Sequence, residues 1–214
     1  MPSSWVIEFE GVRARDVRAS GMHRFLSAWF GEDEDSHKDP KGYSLGPRED
    51  HEGGLAAVVH CVADPLSALL AELPEGQAVQ FGHTFPKSAR VRRCYRTAEA
   101  SWDDLASYQG TTQWQIELLS PLTLRRHGVD QPWPAPRGIL QGLAAKWTTW
   151  NRPQPLALPD AYGDSILVTG VELAMEQSVE APVPCWGAVG RVEWTWDAAD
   201  PRSPRDGAER VERL

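Results

Sequence analysis

Cysteine is scarce in this chain: among 214 residues only Cys61, Cys94 and Cys185 carry a thiol. They are scattered, odd in number and never spaced as CxxC, which argues against a disulfide framework and leaves no four-ligand zinc site in view. The six histidines (His23, His37, His51, His60, His83 and His127) never fall three or four residues apart, so no helix face offers a histidine pair to a metal. Neither a metal nor a cofactor is expected. No apolar run approaches the roughly 18 residues of a membrane span. The start, Met-Pro-Ser-Ser-Trp-Val-Ile-Glu, lacks the basic and apolar stretches of a secretory signal, so a cytoplasmic protein with no membrane partner is expected. GxSxG, GxxxxGK[ST] and GxGxxG are all missing, which removes the serine-nucleophile and phosphate-loop readings. Positive charge is also in deficit: 22 Lys+Arg against 30 Asp+Glu give a net charge of −8. That excludes a uniformly basic nucleic-acid binder but permits a local basic face on an acidic body.

What is present suits a soluble globular chain, with 41% hydrophobic and 24% charged residues, long enough for one large domain or two small ones. Trp5-Val-Ile-Glu-Phe-Glu alternates like a half-buried strand. Met22, Phe25, Leu26, Trp29 and Phe30 then recur at helical spacing, with Ser20 as the expected cap and Gly31 as the stop. Residues 32–53 read as a polar loop holding eight acids with Lys38, Lys41 and Arg48. The paired carboxylates there read as solvated rather than organised for hydrolysis. From Gly54 an apolar strand leads to Asp64-Pro65, a cap followed by proline at the first helical position, and a short helix along Leu66, Leu69, Leu70 and Leu73. Val79-Gln-Phe and Arg90–Arg96 read as a hairpin pair. After a polar link around Glu99–Gly110, the pattern starts again. A strand carries Trp114, Ile116 and Leu118. A helix from Pro136 runs through Ile139, Leu140, Leu143, Trp147 and Trp150. Two long strands follow over Ser165–Glu176 and Trp186–Trp196.

The expected architecture is α+β: two tandem ferredoxin-like (βαββαβ) domains, residues 1–108 and 109–214, the second incomplete and ending in an irregular tail over 197–214. The alternative is one larger α+β sheet.

Chemistry concentrates in two places. Lys87-Ser-Ala-Arg-Val-Arg-Arg-Cys-Tyr-Arg96 holds five positive charges and no acid. Strict alternation puts Arg90, Arg92 and Arg96 on one face and Val91, Arg93 and Tyr95 on the other. Such a ribbon can follow a phosphodiester backbone, or it can be a solvated edge strand whose charges prevent aggregation. Arg125-Arg126-His127 adds a small second patch. The other cluster is His37-Lys38-Asp-Pro-Lys41-Gly-Tyr43-Ser44. Histidine moves protons near neutral pH and lysine stabilises negative charge on phosphate, while RNA brings its own nucleophile in the 2′-hydroxyl. A solvated histidine in an acidic loop is the competing reading. His23, on the first helix, is either a second acid/base partner or a half-buried residue of no special role. The tryptophans Trp29, Trp114, Trp147, Trp150 and Trp194 lie on apolar faces and read as core rather than base-stacking platforms.

The order of these features resembles the CRISPR-associated endoribonucleases of the RAMP superfamily that process precursor CRISPR RNA. Gly21-Met-His-Arg-Phe-Leu followed by His37…Lys41-Gly-Tyr-Ser-Leu-Gly-Pro is similar to that family's H…K-P-[FY]-[ST]-x-S-P loop. Ile116-Glu-Leu-Leu-Ser-Pro-Leu-Thr-Leu resembles its F-x-S-P-T-x-F strand, and Pro134-Ala-Pro-Arg-Gly-Ile-Leu…Lys146-Trp-Thr-Thr-Trp-Asn151 its P-x-P-x-x-[VI]-[FL]…W-N. Cys185-Trp-Gly-Ala-Val-Gly-Arg-Val-Glu-Trp resembles its G-[FW]-x-G-x-[VI]-x-[YF]. The resemblance implies two ferredoxin-like domains side by side, with metal-independent cleavage of CRISPR repeat RNA to a 2′,3′-cyclic phosphate and a 5′-hydroxyl. The partners implied are the crRNA product and other subunits of a CRISPR effector complex. On the matching positions His37 is the general acid/base and Lys41 the phosphate-stabilising lysine, with Lys38 as its fallback. Tyr43 sits in the same motif and His23 has no firm counterpart. Lys87, Arg90, Arg92, Arg93, Arg96, Arg125 and Arg126 are the candidate RNA contacts. The family's C-terminal G-V-G-x-x-T-x-x-G-x-G loop has no counterpart, since Trp194-Thr-Trp196 leads into Asp197-Ala-Ala-Asp-Pro-Arg-Ser-Pro. A non-catalytic crRNA-binding subunit is therefore the alternative.

Overall fold

Alternation in Ser3–Glu10 (β1) places Trp5, Ile7 and Phe9 on one face, each at most 5% exposed, and Ser4, Val6, Glu8 and Glu10 on the other. The structure is a computed structural model and describes residues 1–31, 41–81, 87–107, 112–126, 128–151, 156, 160–178 and 185–199. His37, Lys38, His83, His127 and the expected tail from 200 onward lie outside the described residues, as do the side chains of Arg125 and Arg126. The chain divides into two compact units, Met1–Trp102 and Asp103–Leu214.

In the first unit α1 (Ala19–Trp29) turns Met22 and Leu26 into the core, and Phe25 meets Phe9 edge-on at 5.7 Å. The cap differs from expectation. Arg18 stands at the N-cap with no side-chain bond, and Ser20 lies within the first turn. The helix ends at Phe30, and Gly31 follows with φ +67°, the left-handed conformation that glycine adopts without strain. Two strands follow: β2 (Tyr43–His51) and β3 (Gly54–Cys61). The polar segment expected as loop is thus half strand. It escapes the usual signals because β2 is an edge strand. Gly46 and Pro47 sit inside it, at a register shift between Leu45 and Arg48 where a residue without an N–H is tolerated.

Next, α2 (Asp64–Ala71) starts one residue earlier than expected, with Ala63 as cap and Pro65 in the first turn. The hairpin is β4 (Ala78–Phe81) and β5 (Lys87–Glu99). The sheet order is β2-β3-β1-β5-β4, every pairing antiparallel. With β3 between β1 and β2, and β1 between β3 and β5, this is the ferredoxin-like split βαβ plan with β4 added at one edge. Both helices cover the Trp5–Ile7–Phe9 face. Ile7, Met22, Leu26, Leu55, Val59 and Leu70 are 0% exposed there. Burying each such side chain contributes about 1.5–3 kcal/mol.

The expected link carries a short helix, α3 (Trp102–Ser107). The second unit contains β6 (Gln113–Leu122), a small hairpin of β7 (Leu124–Arg126) and β8 (Val129–Gln131), α4 (Pro136–Trp150), α5 (Asp160–Asp164), β9 (Ile166–Ser178) and β10 (Cys185–Trp196). Its sheet, β6-β10-β9, has β10 antiparallel to both neighbours. This repeats the β1-α1-β2-β3 half of the first unit. Among the described residues no further strand pairs with β6. Leu140, Tyr162, Ile166, Val192, Trp194 and Trp196 form its core, with Trp114 and Ile116 partly buried against it. The expectation of tryptophans as core holds for these and for Trp147, 6% exposed. Among the described residues, no helix is long and apolar enough to cross a membrane.

Candidate active site

One face of α1 and the first residue of β2 build a polar corner. His23, Ser27 and Phe30 recur at helical spacing, so they line one side of α1. Tyr43 packs under that side, 5% exposed, its ring centroid 5.0 Å from Phe30 and 5.7 Å from His23. Its hydroxyl lies 3.0 Å from Ser27 Oγ and 3.4 Å from His23 Nδ1, and donates at 3.5 Å to the carbonyl oxygen of His23. The first contact is a good hydrogen bond and the other two are long. The His23 side chain is exposed. The ladder between β2 and β3 extends one step beyond the strand, where Val62 N donates to Gly42 O at 2.9 Å. That bond fixes the backbone beside Lys41, which is half-buried. Of the expected site, His23 and Tyr43 thus meet, Lys41 lies two residues before Tyr43 in the chain, and His37 and Lys38 lie outside the described residues.

The arginine ribbon is arranged differently from strict alternation. β5 pairs with β1 through two register shifts, between Glu8 and Phe9 and between Ser4 and Trp5. Val91 faces Phe9 on the helix side. Past the first shift Arg93 is opposite Glu8, and Cys94 is opposite Ile7. The bulge reverses the parity. Arg93 therefore joins Arg90 on the face away from the helices, whereas Arg96 turns to the helix side, 5.8 Å from the Trp5 ring and ion-paired with Glu99. The expected grouping of Arg90, Arg92 and Arg96 does not form.

Three of the five cations are ion-paired. Arg93 donates to Glu8 at 2.8 Å and stacks over Tyr95 at 4.2 Å. The Glu8 carboxylate is 5% exposed. The Arg93 hydrogen bond outweighs burial and, with the nearby charges of Arg93 and His51, holds the Glu8 carboxyl below its ordinary range. Lys87 lies 4.0 Å from Asp16. Arg90 and Arg92 instead donate to main-chain carbonyls, of Gly76 at 3.3 Å and Glu52 at 2.8 Å. Neither bond brings a negative charge to its guanidinium. Arg125 and Arg126 belong to the second unit, opposite Asp130 and Val129 on β7–β8.

Sequence reasoning passed over a further basic group, Arg13, Arg15 and Arg18, all exposed around a 3-10 turn at Ala14–Asp16. The signal was available: three arginines within six residues and a single acid between them. Among the described residues no cluster of His, Cys, Asp and Glu is placed to hold a metal ion.

Two ferredoxin-like units in tandem, each an antiparallel sheet with its own core, define the fold class. No protein-family model matches the chain, and no curated protein does. Solved structures do. The structure described as "Cas6 (TTHA0078) product complex" matches 99% of this chain and 89% of its own, at 23% identity and TM-score 0.77. The "Cas6 (TTHB231) product complex" matches 100% and 90%, at 20% identity and TM-score 0.75. That second Cas6 is from Thermus thermophilus. A "Cas6-related gene from Pyrococcus furiosus" matches 98% and 90%, at 9% identity and TM-score 0.53. The tandem ferredoxin-like fold of this chain is the fold of these structures.

Proposed function

We propose that the protein is a Cas6-type endoribonuclease of the RAMP superfamily that binds CRISPR repeat RNA and cuts precursor CRISPR RNA without a metal. One observation carries the reading: a likeness over 99% of the chain, at TM-score 0.77, to a Cas6 described as a product complex. A cytoplasmic location and assembly with other CRISPR effector subunits belong to the same reading.

The 2′-oxygen bonds to the adjacent phosphorus as the bond from phosphorus to the 5′-oxygen breaks. The proton lost by the 2′-hydroxyl is matched by one gained at the leaving oxygen. The products are a 2′,3′-cyclic phosphate and a 5′-hydroxyl. His37 serves as general acid/base, and Lys41, with Lys38 as the fallback, faces the charge that builds on the phosphate oxygens. The exposed His23 side chain is a second candidate acid/base group in this reading. Tyr43 is a positioning residue, since its hydroxyl is engaged with α1.

General acid/base groups contribute about 10²–10⁴-fold. The test is single-turnover cleavage of the host's repeat RNA in EDTA, wild type against His37→Ala. A loss of that size in the variant, with RNA still bound, supports the assignment. Undiminished cleavage rejects His37, and cleavage abolished by EDTA rejects the mechanism. The second reading, a crRNA-binding subunit without activity, rests on the acids that surround His37 in sequence, Glu32 to Asp39, which would raise its pKa and oppose RNA. Repeat RNA bound in a salt-dependent way by wild type and recovered uncut would favour it.

A further inference from the structure

The turn between β2 and β3 is gripped from two sides. Arg13 donates to the carbonyl of His51 at 3.1 Å, and Arg92 to the carbonyl of Glu52 at 2.8 Å. Because these carbonyls belong to consecutive residues, the two guanidiniums lie within about 10 Å of each other, roughly one Debye length at 0.1 M salt. Arg90 stands nearby on β5, anchored on the Gly76 carbonyl. It lines an open pocket of about 810 Å³ whose wall includes Glu10, Gly11, Gly53, Gln80 and Ser88.

A guanidinium held by a carboxylate stays charged, but its partner's negative charge offsets the field it presents to another anion. One held by a carbonyl is oriented without that offset. None of Arg13, Arg90 and Arg92 has a carboxylate partner among the described residues, in contrast to Lys87, Arg93 and Arg96. Three like charges gathered at one end of a sheet repel one another, and an anion placed among them relieves that repulsion. Among the described residues Arg90 is the one cation in the pocket wall, and Arg92 borders it at Gly53, where a Cβ would come 3.9 Å from its guanidinium. Gln80 and Ser88 are cross-strand partners beside Arg90 and supply neutral hydrogen-bonding groups. Gly11 and Gly53, with φ of +87° and +84°, leave bare backbone where a side chain would narrow the approach. Glu10, directly across from Arg90, is the one acid in the wall and opposes an anion.

We infer that Arg13, Arg90 and Arg92, with Gln80 and Ser88, form a phosphate-binding site for the backbone of single-stranded RNA, separate from the Tyr43 corner, and that Glu10 limits its affinity. The inference rests on the RNA-processing reading. Its signature is electrostatic: each phosphate contact to a single strand contributes about 0.7 to the slope of log affinity against log salt. Fluorescence anisotropy of a labelled oligouridylate, and of the repeat RNA, across a KCl series reads that slope.

Wild type binds with salt-dependent affinity. R13A/R90A/R92A flattens the slope by about 2 and R90A alone by about 0.7, while E10Q binds more tightly than wild type. Should the triple variant fail to melt cooperatively, R90A and E10Q decide the matter, since neither removes an anchor of the β2–β3 turn. An unchanged slope in folded R90A together with unchanged affinity in E10Q overturns the site. A wild-type protein that retains neither RNA at low salt overturns the functional reading itself. Wild-type binding with unaltered variants overturns only this inference.

Discussion

Replacing Tyr43 by Phe removes one oxygen from the corner where α1 meets β2, and the structure sets the size of the effect. The hydroxyl makes a bond of 3.0 Å to Ser27 and two weaker contacts, at 3.4 and 3.5 Å, to His23. A buried neutral hydrogen bond is worth about 0.5–1.5 kcal/mol net. The ring keeps its packing on Phe30, so no cavity opens. The expected destabilisation is about 1 kcal/mol, which for a unit of roughly 100 residues lowers the melting temperature by about 4–8 °C. If Tyr43 acts only by holding His23 and the Lys41 backbone in place, the cleavage rate at saturating RNA falls by less than about 10-fold, because the about 1 kcal/mol of holding energy lost corresponds to about 5-fold in rate. Differential scanning fluorimetry and single-turnover cleavage measure the two effects. A fall of about 100-fold or more with unchanged melting would refute the positioning role and put the phenol in contact with the reacting atoms.

Two further outcomes follow from the buried ionisable groups. Glu8 is held below the ordinary carboxylate value of 4.5, chiefly by its hydrogen bond from Arg93. A depressed folded value gives stability that is present above the ordinary range and is lost as pH falls through the folded value. The melting-temperature gap between wild type and Glu8→Gln is therefore widest near neutrality and closes in acid. A gap independent of pH would disprove the link. Burial pushes the Cys61 thiol to about 11, and burial plus the neighbouring Cys61 pushes Cys94 to about 12. Because the thiolate is the nucleophile, iodoacetamide at pH 8 labels both peptides only after unfolding in urea, and mass spectrometry showing rapid labelling of the folded protein would contradict this.

Much of the fold was legible in the sequence because burial on one side of a sheet or helix imposes a period. Trp5, Ile7 and Phe9 alternate, Met22 and Leu26 lie one helical turn apart, and Leu140, Ala144 and Trp147 repeat the same spacing. Illegible parts share a cause. β2 packs on one neighbour only and carries Gly46-Pro47, so its exposed positions are free to be polar and its hydrophobic period dissolves. The caps were misplaced by one or two residues because Arg18 and Ala63 hold non-helical backbone without any side-chain bond, leaving nothing in the residue type to read. The site was legible as chemistry rather than as geometry. His23 and Tyr43 stand 20 positions apart, and only the fold lays α1 over the start of β2.

The arginine ribbon shows why charge counted along a chain misleads. Five cations within ten residues read as one uniform surface. One bulge, between Glu8 and Phe9, puts Arg96 on the helix side and Arg93 on the opposite one. Acids then decide the rest. Glu8 lies 85 positions from Arg93 in sequence, and Asp16 is also far from Lys87, yet each meets its cation across the sheet end or face. Conversely, Arg13 lies far from the ribbon in sequence and shares the β2–β3 turn with Arg92. An acidic protein of net charge −8 can still present a compact cationic site, provided its carboxylates pair with some arginines and main-chain carbonyls hold the others. Binding strength is then governed by how many arginines are held by carbonyls rather than by carboxylates and how closely they stand, and the salt dependence of RNA binding should follow Arg13, Arg90 and Arg92 rather than the full count of basic residues.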